Sequence, residues 1–202
     1  MLTRTGAGQR GFSLIELVIA ITIVALLLLV AVPALQTWVS DARVRTAAES
    51  FQNAVRLAQS EAVKRSRTAV VMLTDSTPSI DAKPTKNGKK WVVRLLERST
   101  TDDDEDSLFV RGGGEASSGD VTVGGDISLI CFNALGQQTG LSGTANGLSV
   151  DCDKSDSTAV SFSRISGRTL KVLVNLGGKV RLCDAEKTFS DSQPDGCPSI
   201  AS

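Results

Sequence analysis

Cys131, Cys152, Cys183 and Cys197 are the residues of this 202-residue chain best able to cross-link it or to bind a soft metal. Four thiolates can hold zinc, but zinc sites use close Cys pairs. Here the gaps are long and irregular, with no C-x-x-C. Disulfides are the preferred reading, and four cysteines allow three pairings. The sequential one, Cys131–Cys152 and Cys183–Cys197, closes two short loops and is favoured. Its second bridge would staple the tail from Asp184 to Ser202 back to the last strand. Histidine and tyrosine are absent, which removes histidine acid–base catalysis and histidine-ligated metal. Serine, aspartate and lysine are plentiful but form no nucleophile elbow and no S-x-x-K set with its partners. The run Asp102-Asp103-Asp104-Glu105-Asp106 lacks the spaced ligands and enforced turn of an EF-hand and reads as a solvated loop. Gly112-Gly113-Gly114 reads as a flexible turn, since no phosphate-loop lysine follows. The expectation is a protein that is not an enzyme and carries no cofactor or metal.

Glu16 is a carboxylate at the head of an apolar run. Leu17 to Leu35, LVIAITIVALLLLVAVPAL, is uncharged, and only Thr22 and Pro33 fall outside the apolar class. At about 1.5 Å per residue, the run spans most of a roughly 30 Å hydrocarbon core. Arg4 and Arg10 precede it, so the positive-inside rule keeps the N-terminus cytoplasmic and sends the rest across. Disulfides persist in that outer compartment. A secretory signal peptide fits less well, because no A-x-A-like site follows the run. A carboxylate near hydrocarbon is costly unless it lies at the headgroups or meets a positive partner.

Arg10-Gly11-Phe12-Ser13-Leu14-Ile15-Glu16-Leu17 resembles the class III signal of type IV pilins and type II secretion pseudopilins. The resemblance implies that a prepilin peptidase cuts between Gly11 and Phe12 and methylates the new terminal phenylalanine. It equates Glu16 with the family's carboxylate at the fifth mature position, and Pro33 with its helix-kinking proline. It also implies a role for Glu16 in assembly, pairing with the cationic Phe12 amine of a neighbouring subunit.

Beyond Pro33 the helix should continue, with a kink there. Trp38, Ala42, Ala47, Ala48, Phe51, Ala54, Val55, Ala58, Ala62 and Val63 recur mostly at three- and four-residue spacing, an apolar face at the helical period. Residues 34 to 67 contain no glycine and no proline. Alanines dominate this face and leucine heptads are absent, so docking on a sheet is preferred to a coiled coil. The remainder reads as antiparallel β: Thr68–Thr74, Trp91–Leu96, Val121–Val123, Ile127–Phe132, Ala159–Phe162, Thr169–Asn175 and Lys179–Cys183, with a hairpin turn at Gly177-Gly178. Thr139–Leu148 is rich in Gly, Ser and Thr and reads as an exposed loop. The expected class is α+β with a pilin-like fold: a long kinked N-terminal helix, transmembrane in its first half, packed on a C-terminal antiparallel β-rich domain. The divisions are a leader at 1–11, a membrane or filament-core helix at 12–35, its amphipathic half at 36–67, and a periplasmic domain at 68–202.

Ile127 to Gly136, Gly178 to Asp184 and Pro194 to Cys197 resemble segments of the GspH/FimT group. The resemblance implies a minor pilin that primes type IV pilus assembly at the filament tip. Its partners would be the prepilin peptidase, other minor pilins, the major pilin and the inner-membrane assembly platform. The alternative is a minor pseudopilin with type II secretion partners. Some relatives bind DNA through a terminal Gly-Arg-x-Arg segment, and Gly178-Lys179-Val180-Arg181 departs from it at one position. Val160 to Cys183 carries Arg164, Arg168, Lys171, Lys179 and Arg181 and no acidic residue, so a salt-dependent phosphate contact is a third reading. Bulk charge does not support it: 22 basic residues balance 22 acidic ones.

Overall fold

A computed structural model describes residues 13–96, 108–113, 121–145, 147–152, 157–164 and 167–198. The chain forms two compact units, Met1–Val39 and Ser40–Ser202. The acidic run at Asp102–Asp106 lies outside the described residues.

One helix, α1 (Leu14–Arg65), supplies the described part of the first unit and the start of the second. The helix continues unbroken through Pro33. Its C-terminus closes as a Schellman motif, with Arg67 N–H donating to the Ala62 carbonyl and Ser66 N–H to that of Val63. Ser66 takes the left-handed conformation (φ 48°) that glycine usually fills.

Eleven strands follow: β1 (Ala69–Thr74), β2 (Lys90–Leu95), β3 (Phe109–Gly113), β4 (Thr122–Gly124), β5 (Leu129–Phe132), β6 (Leu141–Ala145), β7 (Leu148–Cys152), β8 (Ser157–Ser163), β9 (Leu170–Asn175), β10 (Val180–Thr188) and β11 (Gly196–Cys197). The first sheet runs β3-β2-β1-β5, the second β11-β10-β9-β8-β4, and β6-β7 stands as a hairpin. Neighbours are antiparallel except β10 and β11.

Both large sheets turn one face to the same stripe of α1. Val44, Ala47, Ala48, Phe51, Ala54, Val55, Ala58 and Ala62 are buried in one core with Val71, Leu73, Val93 and Ile130 of the first sheet and Val160, Phe162, Val172 and Val174 of the second. Phe51 meets Phe162 at 5.7 Å between ring centroids. The Trp91 indole N–H of β2 donates to Ser50 Oγ at 3.1 Å. The stripe expected from sequence needs correction at its ends. Trp38, Ala42 and Val63 are exposed, and Val44 is buried.

Two further expectations fail. The span Thr139–Leu148 is no simple loop: it contains β6 and begins β7. The hairpin covers the outer face of the first sheet, where Leu148, Val150 and Cys152 join Val70, Met72, Val92, Leu129 and Cys131 in a second core. Every residue of β1 is therefore buried. Gly112 and Gly113 are strand residues, not a flexible turn, and Gly114 lies outside the described residues. A Cβ on Gly113 would come within 2.2 Å of the Trp91 ring, and one on Gly112 within 2.2 Å of Pro78.

The Cys131–Cys152 disulfide ties the hairpin to β5 across a sequence separation of 21 residues. Replacing both cysteines with alanine should lower stability by about 3 kcal/mol through loop-closure entropy. A urea melt of the detergent-solubilised chain checks this, and an unchanged midpoint would refute it.

Candidate assembly helix and basic edge

Of the first candidate site, Gly11 and Phe12 lie outside the described residues, and Ser13 is the first within them. Ser13 precedes α1 and Glu16 is the third helical residue, which is capping-box spacing. The Ser13 backbone N–H donates to Glu16 Oε2 at 3.4 Å, and the Leu17 N–H to the Ser13 carbonyl at 3.2 Å. Glu16 thus satisfies a backbone donor that has no partner within the helix. Its charge also suits the positive end of the helix dipole. This capping role was missed in reading the sequence, although Ser-x-x-Glu signalled it.

The apolar stretch that follows is exposed among the described residues. Leu14 is 80% exposed and Leu29 74%, and the helix is long and apolar enough to cross a membrane. Thr22 donates its hydroxyl to the Ile19 carbonyl at 2.8 Å, so the one hydroxyl in the apolar run needs no water. Pro33 lies within this stretch of α1.

The second candidate site is the basic stretch around β9 and β10, and its five side chains do not form one patch. Arg168 precedes β9, while Lys179 lies in the turn at its other end, roughly 20 Å away at the strand rise per residue. Arg164 lies beside Gly167, where a Cβ would also meet Ser40 Oγ and Asp41 Oδ1. Lys171 lines an open cleft of about 900 Å³ together with Lys86, Asp126 and Asp151, so charge there is mixed.

Both remaining arginines hold the tail. Arg168 Nε bonds the buried carboxylate of Asp184 at 3.0 Å, and its Nη2 is 3.8 Å from Asp195. Lys187 closes this network at 2.6 Å from Asp195. Arg181 Nη2 donates to the carbonyls of Pro194 (2.7 Å) and Gly196 (3.2 Å), and its guanidinium lies 4.3 Å over the Phe189 ring. The Cys183–Cys197 disulfide covalently joins the same two segments. Gly178 serves the neighbouring junction. Its φ is +82°, and a Cβ there would lie 2.2 Å from the Gly136 carbonyl oxygen. Gln59 of α1 donates from Nε2 to the carbonyls of both Gly136 and Gly178, linking one turn from each large sheet to the helix. Among the described residues, no cluster of three or more His, Cys, Asp or Glu side chains could hold a metal ion.

Comparison with known proteins gives four results. The family described as "Type II transport protein GspH" matches residues 47–193. The "Prokaryotic N-terminal methylation motif" matches residues 6–32. A crystal structure of the Pseudomonas aeruginosa PAO1 type IV minor pilin FimU is similar in fold. Its TM-score is 0.50 at 14% identity, covering 79% of this chain and 98% of that one. A second crystal form of the same protein gives a TM-score of 0.46 at 14% identity, covering 76% and 98%. No curated protein matches.

Arg181→Ala should accelerate amide exchange at Asp184 and Gly196 while leaving far-UV circular dichroism unchanged. Arg181→Lys should not restore protection, since an ammonium lacks the planar fork. Unchanged exchange in Arg181→Ala would refute the clasp. The hydrogen bond from Lys187 leads the effects that hold the Asp195 carboxyl below its ordinary pKa. A carboxyl with a depressed folded-state pKa stabilises the fold above its unfolded value and loses that contribution as pH falls through the folded one. Protection of the tail amides should therefore decline once pH drops below about 4. Protection constant through that range would contradict this linkage.

Proposed function

The chain belongs to the GspH family of type II transport proteins, and from that membership we propose that it is a minor pilin, a subunit that primes a type IV pilus at its tip. The observation that carries this reading is the exposed apolar stretch of α1 with a helix-capping carboxylate at its head. Such a surface needs either lipid or the equivalent helices of other subunits around it. Inner-membrane residence before assembly, with the N-terminus cytoplasmic and the Ser40–Ser202 unit periplasmic, follows from the two leader arginines.

In this reading a prepilin peptidase cuts between Gly11 and Phe12 and methylates the new amine. Phe12 directly precedes the Ser13 amide that Glu16 accepts. In a filament core, low dielectric strengthens the attraction of the Glu16 carboxylate to a neighbour's amine. A missing partner would leave a buried charge uncompensated, so the pair selects register. The other minor pilins, the major pilin and the assembly platform are the partners this implies.

A minor pseudopilin of type II secretion is the second reading, favoured by the description of the matching family. Deletion and complementation separate the two: loss of surface pili with intact secretion supports the first, and the reverse supports the second. For either, mass spectrometry of the mature chain should find N-methylphenylalanine from Phe12. An unprocessed N-terminus would sink both. Glu16→Leu should still be cleaved and folded, yet enter filaments at least tenfold less; normal incorporation would remove the pairing.

A further inference from the structure

The two tryptophans have opposite surroundings. Trp91 is 6% exposed and its indole N–H is bonded to Ser50. Trp38 is 71% exposed, and no hydrogen bond to its indole is found among the described residues. An isolated large aromatic on a helix surface needs a cover with both apolar and polar character, since the ring is apolar and the N–H is a donor.

We propose that Trp38 is an interfacial anchor that seats its indole in the phospholipid headgroup layer on the far side of the membrane and sets the depth of the helix. The sequence around it has the required polarity gradient. The apolar run ends at Leu35, Gln36 and Thr37 are uncharged but polar, and the first charge after Glu16 is Asp41. Trp38 lies three residues past the run, about 4–5 Å along the axis, where hydrocarbon gives way to headgroups. Glu16 lies 22 residues before it, about 33 Å away at the same rise, against a hydrocarbon core of roughly 30 Å. With Trp38 held at one interface, Glu16 lies at the other, hydrated and not buried in lipid. The carboxylate then loses its water on entering a filament, not while the subunit waits in the membrane. The inference rests on the membrane-resident state proposed above and specifies its depth.

Fluorescence of the full chain in phosphatidylcholine vesicles tests it, with bromines carried on the acyl chains either near the headgroup or near the chain end. Subtracting the spectrum of Trp38→Phe isolates Trp38, and the remaining Trp91 emission reports that the Ser40–Ser202 unit is folded. Trp38 emission should be blue-shifted, and shallow bromines should quench it about twofold more than deep ones, as expected of an interfacial indole. Flotation with the vesicles but stronger quenching by deep bromines, or none by either, overturns the anchor and leaves membrane residence standing. A blue shift without quenching that grows with protein concentration assigns Trp38 to contact with a second copy and also overturns it. Failure to float overturns membrane residence and the anchor together.

Discussion

A stripe of small side chains on one helix has to serve two sheets at once, and the Ser40–Ser202 unit is organised around that demand. Ala47, Ala48, Ala54, Ala58 and Ala62 leave little side chain between α1 and its neighbours, while Val44, Phe51 and Val55 fill the remaining volume. Phe51 reaches the second sheet through Phe162, and Ser50 reaches the first through Trp91. Near the C-terminal end of the helix, Gln59 donates to carbonyls from a turn of each sheet. Backbone packs on backbone there, so Gly178 has no room for a Cβ. A larger residue at the alanine positions would push both sheets outward, because close-packed interiors do not absorb added volume.

Once the inner faces are committed to the helix, the outer faces and the tail need other means of support. The first sheet is covered on its outer side by the β6–β7 hairpin, whose first strand contributes few buried residues. The tail beyond β10 has little apolar content, and β11 is two residues long. A disulfide attaches each of these weakly cored segments to a buried position on a strand of a larger sheet, Cys131 on β5 and Cys183 on β10. The clasp of Arg168, Arg181, Asp184, Lys187 and Asp195 supplements the second bridge with directional bonds. Asp184 is buried, so its charge needs the Arg168 guanidinium beside it.

What was legible in the sequence was whatever rested on periodicity or on uninterrupted composition. The long helix and most of its buried face follow from spacing alone, as do the cores of β1, β2, β5, β8 and β9. The missed features depend on partners distant in sequence. Residues 141–145 have a loop's composition and become a strand because β7 pairs with them and Cys152 is tied to β5. Gly112 and Gly113 look like a flexible linker, yet they admit β3 beside Trp91, 22 residues from Gly113 in sequence. Trp38 satisfied an approximate spacing rule and is nonetheless exposed. The capping box at Ser13 and Glu16 is readable locally, although Glu16 also borders an apolar run in which a carboxylate is costly.

The basic stretch shows most clearly why a linear window misjudges a surface. Counting charge from Val160 to Cys183 stops one residue short of Asp184 and omits Asp195, the two carboxylates that face Arg168. Arg181 contributes its charge to the same count, although two carbonyl oxygens and the Phe189 ring already occupy its guanidinium. A phosphate approaching either arginine would compete with bonds that hold the tail. Lys171 faces a cleft shared with Asp126 and Asp151, which weakens the field available to an anion. Lys179 lies on an exposed turn and forms no ion pair among the described residues, and a single ammonium releases too few counterions for more than feeble binding. Arrangement along the chain created the impression of a basic patch, whereas strand pairing distributed those charges between the two ends of a sheet and gave two of them internal work.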